Sequence, residues 1–307
     1  MLALPSTFDS RDMIEGVAVG FLSYLLFSTA DTCIKALGGR MSIFEILFLV
    51  TLATVPTLGF AKPRGEPWGA VFRLHRPGLV LLRAFCGTMA GLLGVYAFTT
   101  LPFAEAYALL FLMPAFAVIL SIPILGEEVG WRRWLAVALG FVGVLLVVRP
   151  GFRELHLGHL AAAGASVFAA MSMIVLRIIG RTEQRISVLT VVYLFALVVN
   201  APLMIADFTV PTWEDLGLVA LAGGAGGFGQ ISMMVAIKLA PTNRVAPAQY
   251  SQIIWAVIFG AAFFGEFPDN VAFVGMVLVV SSGLFTFFRE EQLYGWSRRT
   301  LLMRNRP

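Results

Sequence analysis

Charged residues are scarce in this chain of 307 residues. Only 13% of the residues are Asp, Glu, Lys or Arg, whereas 59% are hydrophobic and the mean hydropathy is +0.86. A soluble globular domain carries about 25% charged residues. The composition therefore excludes an ordinary soluble domain and predicts an integral membrane protein.

Cysteine and histidine are also rare. Cys33 and Cys86 both lie in apolar stretches, which predicts buried free thiols and no disulfide framework. The three histidines, His75, His156 and His159, do not occur at metal-ligand spacing with cysteine or carboxylate residues. We therefore expect neither a metal site nor a cofactor.

Motifs of soluble enzymes are missing as well. The chain contains no phosphate loop and no GxSxG nucleophile motif. A formal GxGxxG at Gly224, Gly226 and Gly229 lies inside an uncharged span, so it indicates close helix packing rather than nucleotide binding. The net charge of +4 is explained by basic residues at membrane borders and does not require nucleic acid. We expect neither an enzyme nor a nucleic-acid-binding protein.

Apolar runs of about 20 residues dominate the chain instead, and each is long enough as a helix to cross a hydrocarbon layer of ~30 Å. The runs between charges and Gly or Pro clusters predict an all-α membrane protein with ten transmembrane helices. These predicted helices cover residues 14–37, 42–61, 79–99, 102–124, 131–149, 158–178, 186–206, 215–238, 242–265 and 270–288.

The basic residues predict the orientation of these helices. If both termini are cytoplasmic, only Lys35, Arg40, Arg149 and Arg153 of the 22 Lys and Arg residues lie on the outer side. Moving Lys or Arg across a bilayer is unfavourable, so this distribution favours cytoplasmic termini. We then expect a cytoplasmic N-terminal segment at 1–13 and a basic cytoplasmic tail at 289–307, close to anionic lipid headgroups.

The second half of the chain repeats the first. The residues that coincide under a shift of 139 or 142 positions are Pro102 with Pro241, Gly126-Glu127 with Gly265-Glu266, and Lys35 with Arg177. Because five helices are an odd number, the second repeat must be inverted relative to the first. Inverted repeats are a common architecture of secondary transporters.

The chain resembles the drug/metabolite transporter superfamily, and among its members the ten-helix proteins with two EamA repeats. The resemblance is carried by Leu101-Pro102 through Pro114 to Gly126-Glu127, by Trp131 to Arg149-Pro150-Gly151, and by Ala240-Pro241 through Gly265-Glu266. It implies EamA repeats at 14–149 and 158–288. It also implies a central cavity that excludes the fifth and tenth helices, and transport of small organic solutes such as amino acids, vitamins, nucleotide-like metabolites or drugs.

Polar residues on the first predicted helix suggest one wall of a binding cavity. Tyr24, Ser28, Asp31 and Lys35 follow a spacing that places all four on one helix face. An ionisable group inside a membrane costs on the order of several kcal/mol unless it is paired or hydrated. Asp31 therefore either forms a local ion pair with Lys35 or faces a hydrated cavity, and the sequence leaves both open.

Acidic residues predict the character of the outer entrance. Glu105 lies just after Pro102 at the start of the fourth predicted helix, where a carboxylate can cap the helix. Helix capping is one interpretation of Glu105, and the other places Glu105 with Asp31 and Glu45 in a mildly acidic outer vestibule. Such a vestibule would favour a cationic or zwitterionic solute.

Further candidate ligand contacts lie on the later helices. Arg244, Gln252 and Trp255 share one face of the ninth predicted helix. An interfacial anchor is the alternative for Arg244, and a packing aromatic is the alternative for Trp255. Gln230 on the eighth helix adds a hydrogen-bond donor. Tyr193 on the seventh completes the predicted substrate-binding set, and a hydrogen bond between helices is the alternative role for Tyr193.

The function that the sequence predicts is an alternating-access carrier in the bacterial inner membrane for a small polar or zwitterionic organic metabolite, such as an amino acid. The alternative is uptake of a vitamin or nucleoside-like metabolite of the riboflavin or adenosylmethionine type; a channel or a receptor fits less well. Protons are a candidate coupling ion, with Asp31 or Glu105 as the group that would exchange them, because desolvation can raise the pKa of a carboxylate in general. We expect a monomer or a weak homodimer.

Overall fold

The computed structural model describes residues 10–62, 69, 72–127, 129–149, 156–180 and 182–284. These ranges contain helices and no β-strand. Ten helical segments follow one another: α1 (Ser10–Leu37), α2 (Ile43–Ala61), α3 (Pro77–Thr100), α4 (Phe103–Leu125), α5 (Trp131–Val148), α6 (Leu157–Ile179), α7 (Arg185–Ala206), α8 (Trp213–Leu239), α9 (242–264) and α10 (Asn270–Leu284). The predicted all-α fold with ten helices is confirmed, and its boundaries agree to within a few residues.

Some predicted segments lie outside the described residues. These are the first nine residues of the N-terminal segment, residues 285–288 of the tenth helix and the basic tail at 289–307. The cytoplasmic location of the two termini therefore stays a prediction from the basic residues.

The surface of the bundle is suited to lipid. Seven of the described helices are long and apolar enough to cross a membrane, and two shorter apolar segments lie within α5 and α10. Large apolar side chains such as Val198, Ile254 and Phe263 are exposed on the outside of the bundle. Exposed apolar surface of this extent is the condition expected of helices that face hydrocarbon rather than water.

Helix packing follows the internal repeat. The two most extensive contacts join α1 to α8 and α3 to α6. Exchanging the repeats turns α1 into α6 and α8 into α3, so each of these contacts is the counterpart of the other. The contact of α2 with α8 and that of α7 with α3 are related in the same way. The ten helices thus form an interleaved pair of five-helix repeats.

Two glycines show the repeat at the level of backbone conformation. Gly126 ends α4 with φ 67° and Gly265 ends α9 with φ 64°, both in the left-handed region that favours glycine. The next residue in each case, Glu127 or Glu266, donates its N–H back to a carbonyl of the preceding helix. The Gly-Glu pair is therefore a helix stop, and it places a carboxylate at the end of each helix.

Two of the helices that line the centre of the bundle are irregular. The regular part of α4 stops at Leu110 and resumes at Met113, and α9 contains a 3₁₀ turn at Ala246–Tyr250. Discontinuous helices are tolerated within a membrane where they are buried in protein or border a cavity. Both irregular stretches lie next to the cavity described below.

Small residues bring α8 close to its neighbours. Gly223 packs against Ala53 of α2, and Gly229 packs against Phe27 of α1. Ser23, one turn before Phe27, donates a 2.8 Å hydrogen bond to the Gly229 carbonyl. A side chain at Gly223 would collide with the Ala53 methyl group. The glycine cluster of α8 is thus a helix-packing surface.

Candidate functional site

A cavity of about 310 Å³ lies in the centre of the bundle. Its lining comes from α1, α2, α3, α4, α6 and α9, and neither α5 nor α10 contributes one of its lining residues. Small residues of α3, including Gly91 and Gly94, open the space on one side. The volume is near the lower end of the range for small-molecule sites, about 300 to 1,000 Å³.

The polar centre of this cavity is Asp31. The Tyr107 hydroxyl donates a 2.6 Å hydrogen bond to the Asp31 carboxylate, and it lies 3.4 Å from the Ser28 hydroxyl. Gln252 of α9 also interacts with the Tyr107 hydroxyl through its side chain. Helices α1, α4 and α9 thus meet at one small polar group, and Asp31, Tyr107 and Gln252 all line the cavity.

The cavity wall around Asp31 is aromatic. The Tyr107 ring lies 5.2 Å from Phe98 and 6.4 Å from Phe111, measured between ring centroids, and all three side chains line the cavity. A carboxylate beside aromatic faces favours organic cations, because ion pairing and cation–π attraction act together. The arrangement can therefore bind a cationic group of an organic solute.

Lys35 does not neutralise Asp31. Its ammonium nitrogen lies 2.9 Å from Glu266 and donates hydrogen bonds to the carbonyls of Phe98 and Leu101. Of the two interpretations of α1, the local ion pair is wrong. Among the described residues Asp31 has no cationic partner within 4 Å, and it borders the cavity.

Glu105 lies in a second, smaller cavity. This space of about 180 Å³ is bordered by α4, α5, α9 and α10 and includes Glu266 and Asp269. Glu105 is buried, and one carboxylate oxygen lies 3.6 Å from Nε2 of His159 at the start of α6. Glu105 does not line the cavity of Asp31.

Glu45 does not line either of these two cavities. It is fully buried and accepts a 3.2 Å hydrogen bond from the backbone N–H of Thr209, in the segment between α7 and α8. The predicted acidic vestibule of three carboxylates is therefore wrong as a single space, because Asp31, Glu105 and Glu45 have separate surroundings.

The other predicted contact residues are distributed over the bundle. Tyr24 packs edge-on against Phe27 with centroids 6.0 Å apart. Trp255 stacks on Phe259 at 5.8 Å, and its indole N–H is buried and finds no hydrogen-bond partner in the part of the chain that the structure describes. Arg244 is exposed at the start of α9. None of these predicted residues lines the central cavity.

The remaining two predicted residues lie on α7 and α8. Gln230 is partly buried on α8 and does not line the cavity. Tyr193 lies on α7, close enough to Arg83 of α3 for an electrostatic interaction. Of the predicted residues, Asp31 and Gln252 thus line the cavity, and Ser28 lies next to them, 3.4 Å from the Tyr107 hydroxyl.

Tyr107 and Arg83 are candidate functional residues that the predicted set lacks. Tyr107 is the sole tyrosine of the uncharged span from 106 to 125, which is a signal that the sequence offers, although aromatic packing is its ordinary role in a membrane helix. Arg83 donates to the carbonyl and the hydroxyl of Ser172 at 3.1 Å each, and its Nε is buried with no hydrogen-bond partner among the described residues. Arg83 itself does not line the central cavity.

Comparisons with known proteins agree with this architecture. The EamA-like transporter family matches residues 14–149 and 156–288 of the chain. The chain is 25% identical to the S-adenosylmethionine uptake transporter of Rickettsia prowazekii, over 92% of this chain and 95% of that protein. It is 26% identical to the pseudopaline exporter of Pseudomonas aeruginosa, over 87% of this chain and 93% of that protein.

Two further similarities concern the same length of chain. The chain is 26% identical to an uncharacterized transporter of Helicobacter pylori, over 89% of this chain and 94% of that protein. A crystal structure with 18% sequence identity superposes with a TM-score of 0.65 over 91% of this chain and 99% of that chain. The latter similarity shows a shared fold.

Proposed function

The chain belongs to the EamA-like transporter family, and we propose that it carries a small polar or zwitterionic organic metabolite by alternating access, with Asp31 as the contact for a cationic group. As a family member it is an integral protein of the inner membrane with a small-molecule substrate. The observation that carries the proposal is the Asp31–Tyr107 hydrogen bond of 2.6 Å inside an aromatic cavity.

Physical chemistry supports a cationic group in this place. A carboxylate at membrane depth is unfavourable as a bare anion, so water, a cation or a bound proton must accompany it. Tyr107 supplies one neutral donor and leaves the other carboxylate oxygen for a ligand. An ammonium or sulfonium group that enters the cavity would pair with Asp31 and lie against the rings of Phe98 and Phe111.

An anionic group of a zwitterion has a candidate partner in Arg83. Arg83 is separated from Ala90 by two turns of α3 on the same face, and Ala90 lines the cavity. Its partner Ser172 belongs to α6, whose residues Ser166 and Ala169 line the cavity as well. We propose that Arg83, rather than the exposed Arg244, attracts a substrate carboxylate.

Uptake of an adenosylmethionine-type metabolite is the second candidate. It is favoured by the similarity to the S-adenosylmethionine uptake transporter, which extends over 92% of this chain. The similarity to an exporter over 87% of the chain is nearly as strong, so the comparisons support transport without supporting a direction.

A thermal-shift screen of the purified protein tests the substrate class. Amino acids, S-adenosylmethionine, riboflavin and nucleosides are added singly, and a true ligand raises the melting temperature by mass action. We expect zwitterionic or cationic compounds to stabilise the wild type and not Asp31→Asn. Asp12→Asn is the matched control, because Asp12 lies exposed near the start of the same helix. Equal shifts in wild type and Asp31→Asn would contradict the role of Asp31.

We also propose that protons are the coupling ion and that Asp31 is the group that exchanges them. A single carboxylate that binds either a proton or the cationic group of the substrate would couple the two by competition. In proteoliposomes, an imposed pH gradient should then drive accumulation of substrate in the wild type. Flux that ignores the gradient would indicate facilitated diffusion instead.

A further inference from the structure

A network around Lys35, which we call the Lys35 gate, lies beside the central cavity near the end of α1. Lys35 lies one turn beyond Asp31 on α1, and its ammonium group contacts Glu266 at 2.9 Å and the Leu101 carbonyl at 2.6 Å. Glu266 in turn accepts a 2.6 Å hydrogen bond from the backbone N–H of Phe103. The gate therefore joins the ends of α1, α3 and α9 to the start of α4.

The cation of the Lys35 gate is shielded from solvent. The Lys35 side chain is only 9% exposed, and its ammonium nitrogen lies 5.9 Å and 5.1 Å from the ring centroids of Phe103 and Phe264. Phe98, whose carbonyl accepts from Lys35, also lines the cavity. The network therefore lies where a solute that left the cavity in this direction would have to separate these charges.

A related ion pair lies at the opposite end of the bundle, and we call it the Arg177 gate. Arg177, at the end of α6, lies 3.4 Å from Glu127, at the end of α4. Arg133 of α5 lies 3.9 Å from the other oxygen of Glu127. The Arg177 side chain is 52% exposed, whereas that of Lys35 is 9% exposed.

The internal repeat relates the two gates. Lys35 corresponds to Arg177, and Glu266 corresponds to Glu127, under the same shifts that align the two repeats. Each gate pairs a cation of one repeat with the Gly-Glu carboxylate of the other. The same contact therefore exists twice, once short with a buried cation and once longer with an exposed cation.

We propose that Glu266 and Glu127 are alternating gate residues of transport. Glu266 closes the Lys35 end in the conformation described above. In the opposite conformation Glu127 closes the Arg177 end by adopting the hydrogen-bonded geometry that Glu266 has in this conformation, with Arg177 as its cation and the start of α9 as its hydrogen-bond donor. Inverted repeats that exchange conformations convert one geometry into the other. The proposal rests on the alternating access proposed above and not on the substrate class.

A cysteine-accessibility experiment tests the gates without knowledge of the substrate. Gly94 lines the cavity, and a side chain at this position would contact nothing within 4 Å. Gly94→Cys is therefore introduced into the full chain that carries Cys33→Ala and Cys86→Ala. A membrane-impermeant maleimide is then applied to either face of the membrane, with exposed reference cysteines from Asp207→Cys and Gln184→Cys reporting the sidedness.

The two carboxylates should have opposite effects. We expect slow labelling of Gly94→Cys from the Lys35 end, and Glu266→Gln should accelerate it at least fivefold. Lys35→Gln should do the same, which guards against misfolding of one variant. Glu127→Gln should leave the rate of labelling from the Lys35 end unchanged or lower it. The reason is that this variant removes the closing contact of the conformation that is open at the Lys35 end.

Glu214→Gln is the matched control. Glu214 pairs with Arg40 at 2.9 Å at the Lys35 end, but this pair connects α8 to the end of α1, two helices already packed along their length. We expect labelling within twofold of the parent protein. The proposal is overturned if Glu266→Gln and Lys35→Gln both insert normally and leave labelling unchanged, or if Glu127→Gln accelerates it like Glu266→Gln. A failure of the Asp31 prediction alone would leave these results intact.

Discussion

Asp31 and Glu105 are both acidic side chains of the bundle, and their surroundings differ. Asp31 borders a cavity of about 310 Å³ with a tyrosine hydroxyl as its hydrogen-bond donor. Glu105 borders a space of about 180 Å³, beside His159 at 3.6 Å. The comparison indicates that a carboxylate among neutral groups is available to a cationic guest, whereas a carboxylate beside an imidazole already has a structural partner.

The two carboxylates also differ in the room that surrounds them. The wall around Asp31 consists of rings and small residues such as Gly91 and Gly94, which leave room for an organic molecule. The space around Glu105 also contains Glu266 and Asp269, each held by a cation: Lys35 for Glu266 and Arg149 for Asp269. The second space is thus bordered by the Lys35 gate and is not a second substrate site in this interpretation.

The largest difference in transport is expected between two single variants, one that neutralises Asp31 and one that neutralises Glu105. Asp31→Asn should lower the transport efficiency kcat/KM by at least about tenfold, because losing a charged contact costs about 1.5 to 3 kcal/mol and about 1.4 kcal/mol is a factor of ten. Glu105→Gln should lower it by less than about threefold. The measurement is the initial rate of uptake into proteoliposomes with a ligand found by the thermal-shift screen.

The contradicting outcome of this experiment is equally definite. If Glu105→Gln, at normal membrane content, abolishes transport while Asp31→Asn retains it, the functional carboxylate is the one in the smaller space. Asp12→Asn, which changes an exposed carboxylate of α1, should behave like the wild type in the same assay.

A smaller effect is expected from the neutral donor that orients Asp31. Tyr107→Phe removes the 2.6 Å hydrogen bond and keeps the ring. We expect substrate binding to weaken by about 1 kcal/mol, which raises KM roughly fivefold. The turnover number should change little, because the aromatic wall stays in place. Tyr96→Phe on α3 is the control, since Tyr96 does not line the cavity. An unchanged KM in Tyr107→Phe would remove Tyr107 from the binding site.

Much of the fold could be predicted from the sequence, because hydrophobic length and basic residues are local properties. Ten apolar runs separated by charges leave few alternatives, and the coincidence of Gly126 with Gly265 under a shift of 139 residues identifies the repeat. Both glycines have the positive φ that a helix stop requires. Local sequence and fold thus agree at the ends of α4 and α9.

The site could be predicted only in part. Asp31 and Gln252 were found because polar residues are conspicuous in apolar helices, and both line the cavity. The contact of Tyr107 with Asp31 joins residues 76 positions apart, and that of Lys35 with Glu266 joins the two repeats. Such contacts depend on how α1, α4 and α9 pack, and helix periodicity carries no information about which helix lies opposite.

The smallest effect is expected from the histidine beside Glu105. His159 accepts a 3.1 Å hydrogen bond from the His156 backbone N–H at the start of α6, and its other ring nitrogen faces Glu105. His159→Ala loses both contacts and should cost about 1 to 2 kcal/mol of stability, seen as a melting temperature about 2 to 4 °C lower per kcal/mol. His159→Gln should regain part of this, because a glutamine three residues after the helix cap can reach the same N–H. Transport should stay within twofold in both variants; a fall of more than fivefold without a change in melting temperature would assign Glu105 and His159 a direct role and remove the distinction between the two carboxylates.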